Sequence, residues 1–157
     1  MKPCIILSAV IVLFFVQACM CGDPAAGGDQ KDFNALVLEE NRMMQYFSAN
    51  HPAIVVLKYA QADLDNDGKD DLVVIYQIAK AQNQMCIVRN QGGRFTETNS
   101  VPAPVSDQLI LFRNIDAKPP LEFIVQGRKG AKAGYAIFRI EKGKLTDLFG
   151  EGMDDCC

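Results

Sequence analysis

Apolar residues fall into three regimes along the chain. The first is an unbroken run from Cys4 to Val16, about a dozen residues where a membrane-spanning helix needs ~20. The second is helical: Phe33, Leu36, Val37, Met43, Met44 and Phe47 gather roughly on one side of a segment that Asp32 can cap and that His51-Pro52 ends. Residues 32–52 are therefore expected to form a helix. Beyond Pro52 the pattern becomes short runs rich in β-branched residues, such as Ala53 to Leu57 and Leu72 to Tyr76, divided by polar turns. These predict strands.

The strand region repeats. Met85 to Thr96 matches Tyr135 to Thr146 at a constant offset of fifty, and each copy reads as a hairpin turning at Gln91-Gly-Gly or Glu141-Lys-Gly. The upstream halves correspond more loosely, Leu72 to Tyr76 with Leu121 to Val125, and Asp63 to Asp65 with Asn114 to Asp116. A period near fifty is the length of a propeller blade, but a propeller needs at least four blades to close. The expected architecture is mainly β with one N-terminal helix. Residues 53–150 would form an antiparallel meander of two roughly 50-residue units, not a closed propeller, with the helix covering a face or edge.

Between the first two strands lies the densest charge in the chain, Asp63 to Asp71, where five of nine residues are carboxylates. Such density calls for a cation, the alternative being a solvated acidic turn. Asp63, Asp65 and Asp67 alternate, Asp71 returns four residues later, and the Lys69 carbonyl is placed to point inward, a hard-oxygen set suited to Ca²⁺. Gly68 supplies the sharp turn, as the glycine of an EF-hand loop does. An EF-hand would close with Glu at its twelfth position, which here is Val74. The loop instead resembles the strand-flanked DxDxDGxxD calcium loops of FG-GAP and VCBS-type repeats. That resemblance implies Asp63, Asp65, Asp67, Lys69 (carbonyl) and Asp71 as ligands of Ca²⁺. The second copy reads Asn-Ile-Asp-Ala-Lys-Pro-Pro from Asn114, so one metal site is expected.

The N-terminus has the parts of a secretory signal, ending Val16-Gln-Ala-Cys19. That ending resembles a bacterial lipobox, which implies residues 1–18 as signal peptide, a diacylated Cys19, and an extracytoplasmic protein held to a bacterial membrane by lipid. A cleaved signal without lipid, or an uncleaved anchor, is the alternative. Residues 19–31 are small and polar, the composition of a flexible tether. Loss of Lys2 with the leader moves the net charge from −3 to −4. A mildly acidic chain without Trp or a Lys/Arg-rich footprint excludes nucleic acid as a partner.

The cysteines divide unequally. Cys4 leaves with the signal, Cys19 takes lipid, and Cys21, Cys86, Cys156 and Cys157 remain. Cys86, in a strand beside Met85 and Ile87, reads as a small buried hydrophobe. Residues 151–157 read as a flexible tail bearing two adjacent thiols. Adjacent Cα atoms are ~3.8 Å apart, below the ~4.4 Å where ordinary disulfides begin, so a vicinal bridge would be strained and reducible. Open, the pair is a soft chelate for thiophilic metals or metalloids, or a possible redox pair. Asp154, Asp155 and the terminal carboxylate oppose thiolate formation. The alternative is an inert tail, or a disulfide to Cys21 or Cys86.

Length, the lipobox at Cys19 and the terminal Cys156-Cys157 together resemble the Cys-Cys-COOH (seleno)proteins, the SaoC family of bacterial lipoproteins. The resemblance implies a setting in anaerobic bacteria with transport genes nearby. No catalytic constellation competes: His51 is the only histidine, and hydrolase elbow, Walker and dinucleotide motifs are absent from the sequence. The reading is a membrane-anchored lipoprotein whose calcium-braced β domain presents a dithiol to a soft ion, or to a thiol partner in a transport system. It is more a binding protein than an enzyme. An FG-GAP-like adhesion or ligand-binding module is the rival, and a dithiol oxidoreductase the third.

Overall fold

The computed structural model describes residues 41–153. The expected signal peptide over residues 1–18, the expected lipidation site Cys19, the expected tether over residues 19–31, Cys21 and the Cys156-Cys157 pair lie outside the described residues.

Helix α1 spans Arg42–Asn50. Asn41 before it has extended dihedrals, and its side-chain oxygen accepts the N–H groups of Met43 and Met44 at 3.0 and 3.1 Å. These are two of the donors a helix start leaves unsatisfied. The expectation of one unbroken helix over residues 32–52 is thus corrected: a helix starts anew after its cap at Asn41 and ends at Asn50, and residues 32–40 lie outside the described residues. At the other end the His51 N–H bonds the Phe47 carbonyl at 2.9 Å. The His51 ring stacks on Phe47, and Nε2 meets Glu97 Oε2 at 2.7 Å. His51 is a helix-terminal residue, as its isolation in the sequence suggests.

Nine strands follow: β1 Val55–Ala62, β2 Asp71–Ala79, β3 Gln82–Gln91, β4 Arg94–Glu97, β5 Val101–Ala103, β6 Ser106–Arg113, β7 Glu122–Lys129, β8 Lys132–Glu141 and β9 Lys144–Glu151. They form two open antiparallel sheets, β1-β2-β3-β4 with β5 pairing the early part of β3, and β6-β7-β8-β9. The described chain is a mainly β meander of two units with one helix, and it does not close into a propeller.

Apart from β5, which has no counterpart, the registers align the two units strand by strand. Leu72 pairs Val88 as Phe123 pairs Phe138; Val74 pairs Cys86 as Val125 pairs Ala136; Ala62 pairs Asp71 as Arg113 pairs Glu122. Leu72 therefore corresponds to Phe123, not to Leu121 as the apolar runs suggest. The slip is of two residues, which leaves each side chain on its face.

The two sheets stack head to tail. In the first, Leu72, Val74, Cys86 and Val88 face Met43, Met44 and Phe47 of α1. Their counterparts in the second, Phe123, Val125, Ala136 and Phe138, face Val73, Ile75, Met85 and Ile87 of the first sheet. Equivalent faces point the same way, α1 covers one end of the stack, and β2 is buried on both faces from Asp71 to Tyr76. The far face of the second sheet carries an apolar ladder across all four strands, Leu111-Ile124-Ile137-Phe149, with Leu111 36% and Phe149 51% exposed.

Cys86 sits in the core under α1, without a disulfide partner among the described residues. Burial, reinforced by the Glu97 carboxylate, pushes its thiol up to about 12. At pH 8.5 it stays protonated and shielded, so iodoacetamide should spare the Cys86 peptide in the folded protein and label it only after unfolding, as read by peptide mass spectrometry. Labelling of Cys86 at the native-state rate of a free thiol would contradict this packing.

Candidate metal centre

The acidic loop spans the gap between β1 and β2, and its geometry is set by backbone amides. Asp63, just past β1, accepts the N–H groups of Asp67 and Gly68 at 3.1 and 2.9 Å, which folds the loop back on itself. Gly68 has φ +83°, the left-handed conformation that favours glycine. Asp71, the first residue of β2, is fully buried and accepts the N–H groups of Leu64 at 3.2 Å and Asn90 at 2.8 Å. Burial nonetheless raises its carboxyl to about 6, with the neighbouring Asp65 charge adding to the effect and the two N–H bonds and Arg89 opposing it.

The loop brings Asp63, Asp65 and Asp71 together: one carboxylate oxygen from each lies within 4.8 Å of the others. Asp67 is not in that group. It turns to its own neighbour, accepting the Lys69 N–H at 2.9 Å and facing Lys69 Nζ at 3.7 Å. Of the four expected carboxylate ligands, then, Asp63, Asp65 and Asp71 converge, while Asp67 turns to Lys69.

Asp65 has a partner that sequence reasoning missed. Arg89 of β3 donates through both Nε and Nη2 to one oxygen of Asp65, Oδ2. The other oxygen, Oδ1, is buried and accepts no hydrogen bond. A buried carboxylate oxygen left alone is costly. Asp65 is thus oriented by a guanidinium on one side and carries an unmet lone pair on the other, among two further carboxylates.

The second unit answers the same problem without that orphan. Glu122 stands where Asp71 stands, nearly fully buried, and accepts the Ile115 N–H at 3.0 Å just as Asp71 accepts Leu64. Arg139 corresponds to Arg89 and Asp116 to Asp65. Being one methylene longer than Asp, Glu122 reaches the arginine directly: Arg139 Nη1 lies 3.2 Å from both Asp116 Oδ2 and Glu122 Oε1, and Nη2 lies 2.7 Å from Glu141. One guanidinium serves three carboxylates, and hydrogen bonding from Glu141, followed by the charges of Glu141 and Asp116, holds its proton more tightly than usual.

Comparison with protein-family models, curated proteins and solved structures finds no match to this chain. No helix among the described residues is long and apolar enough to cross a membrane.

Arg139 is the internal counter-ion of the second unit. Arg139→Gln should lower the melting temperature at neutral pH by stranding Glu122. Adding Glu122→Gln should recover most of that loss, because removing both charges leaves no buried carboxylate unpaired. Additive losses in the double variant would show that the two residues act independently.

Proposed function

We propose that this chain is a calcium-braced β domain, lipid-anchored through Cys19 on the outside of a bacterial membrane, that presents the Cys156-Cys157 dithiol to a soft metal or metalloid, or to a thiol partner in a transport system. The observation that carries the calcium part is the orphaned Oδ1 of Asp65 within the group it forms with Asp63 and Asp71. A hard divalent cation is the chemistry that three oxygens so placed would satisfy, with carbonyls and water completing its six to eight ligands. Asp63, Asp65 and Asp71 would hold it, and Arg89 would keep Asp65 turned towards it.

The thiol part rests on the adjacent Cys156 and Cys157, which lie outside the described residues. Residues 151–153 are not the loose stretch that glycine content suggests. Glu151 closes β9 opposite Tyr135, and Met153 packs against the core between the sheets. Resemblance to the Cys-Cys-COOH lipoproteins agrees with this reading. The rival, an adhesion or ligand-binding module, is favoured by the exposed apolar ladder on the second sheet.

Chelator should lower the melting temperature of the calcium-loaded protein, and Asp65→Asn should abolish the difference, because a ion bound only to the folded state stabilises it by mass action. With Asp71 raised to about 6, the folded state binds a proton that the unfolded state releases. Without a cation, this favours the folded state at low pH, and the benefit is lost as pH rises through about 6. A cation must displace that proton, so calorimetry should find Ca²⁺ affinity about tenfold weaker at pH 5 than at pH 7.5. Absence of binding at millimolar Ca²⁺ would leave a solvated acidic turn.

The dithiol is read separately, by titrating reduced protein with arsenite. Cys156→Ser and Cys157→Ser should each weaken binding strongly while calcium affinity stays unchanged. Equal arsenite affinity in both variants and wild type would move the adhesion reading first.

A further inference from the structure

The ladder on the second sheet is out of keeping with a solvated face. An antiparallel sheet wetted on one side alternates apolar and polar residues, so that its wet face is polar. Here Leu111, Ile124, Ile137 and Phe149 make one apolar rung from edge strand to edge strand. Leu109, two residues before Leu111 and on the same face, is 38% exposed, and the Tyr135 ring meets that of Phe149 at 5.9 Å between centroids. Contiguous exposed apolar surface of this kind marks an interaction site.

The repeat shows what covers such a face. Ile124 pairs Ile137 as Val73 pairs Ile87, and Leu111 pairs Ile124 as Ala60 pairs Val73. In the first unit a sheet closes these positions: Val73 and Ile87 are fully buried against the second sheet, and Ala60 packs beside them. In the second unit the edge position carries Leu111 in place of the smaller Ala60, although no described element lies over it. A face of the kind that takes a sheet is thus left open at the end of the stack.

We propose that two copies of this chain dimerise face to face through the second sheet, ladder on ladder. The other outer sheet face of the described residues is occupied by α1. A second copy therefore has a sheet to offer only through the same ladder, which makes the contact isologous and closes it at two. Four strands about 4.8 Å apart and eight residues long at ~3.4 Å per residue give a face of about 500 Å² per copy, hence about 1,000 Å² for the pair, enough for a specific interface. The charges at both ends of the ladder are mixed, so a copy does not repel its like: Arg113 pairs Glu122 at one end, and Arg128 and Glu151 line one cavity at the other. The dimer stands apart from the calcium and dithiol readings and needs neither.

The test is sedimentation equilibrium of the full chain across micromolar concentrations, in wild type, in L111N/F149N, and in V55N/I78N, which changes two comparably exposed residues of the first sheet. Wild type and V55N/I78N should show the same reversible monomer–dimer equilibrium. L111N/F149N should dissociate at least about a hundredfold more readily, because each copy loses two apolar side chains from the contact. A monomeric wild type, or equal association in all three proteins, would overturn the dimer. A second measurement leaves the fold of the ladder variant out of the question: Phe149 is replaced by the photo-crosslinker benzoylphenylalanine, and chains of light and heavy isotope content are mixed before irradiation. Mass spectrometry should find light–heavy cross-links from position 149 to the β6 or β9 peptides. Cross-links confined to one chain would mean that its own residues outside 41–153 cover the ladder, and cross-links to lipid alone would make it a membrane-facing surface; either result contradicts the proposal.

Discussion

A buried carboxylate at the first residue of the second strand of each unit governs this structure. Asp71 and Glu122 sit where β2 and β7 enter the core, and burying such a group is unfavourable unless its lone pairs are met. Each ties down the turn before it through a backbone N–H seven residues back, Leu64 or Ile115. Asp71 also takes Asn90 on β3, so the acidic turn, β2 and β3 are joined at one oxygen pair. The two units part in how they meet the remaining charge. Glu122 reaches Arg139 and is neutralised within the fold. Asp71 is too short to do the same, Arg89 is engaged by Asp65, and the first unit is left with an unmet oxygen among three carboxylates.

The stacking of the units follows from repetition without closure. Because equivalent faces point the same way, each unit exposes one face that only another element can cover, as in other repeat architectures. α1 covers the first face, and its short length suffices because Met43, Met44 and Phe47 lie over the centre of β2 and β3. At the other end the ladder from Leu111 to Phe149 has no such cover among the described residues. Arg113, Glu122 and Arg139 border it on one side, so the apolar stripe and the guanidinium network share a face.

Much of this was legible in the residues. The hairpins at Gln91-Gly-Gly and Glu141-Lys-Gly announced the repeat because turn chemistry is local. The strand register upstream was harder to read: β2 is buried on both faces, so its apolar run carries no alternation to fix an alignment, and a two-residue slip went unseen. Asp32 and Asn41 are both good helix caps, and nothing local distinguishes the one whose side chain meets Met43 and Met44. The acidic loop was visible, but Arg89 and Arg139, distant in sequence from Asp65 and Asp116, were not. Such pairs exist only once β3 and β8 are laid beside their loops. The firmness of the chain at Gly152 was hidden for the same reason, since glycine reads as looseness until the partner it approaches is known.

The most direct test of the central claim is a crystal structure of the protein grown with calcium, with anomalous scattering used to locate the ion. The account predicts one peak about 2.3–2.6 Å from Asp65 Oδ1, shared with Asp63 and Asp71, with Arg89 still on Asp65 Oδ2. A well-ordered loop with no peak there, and with Asp65 Oδ1 satisfied by water alone, would contradict it.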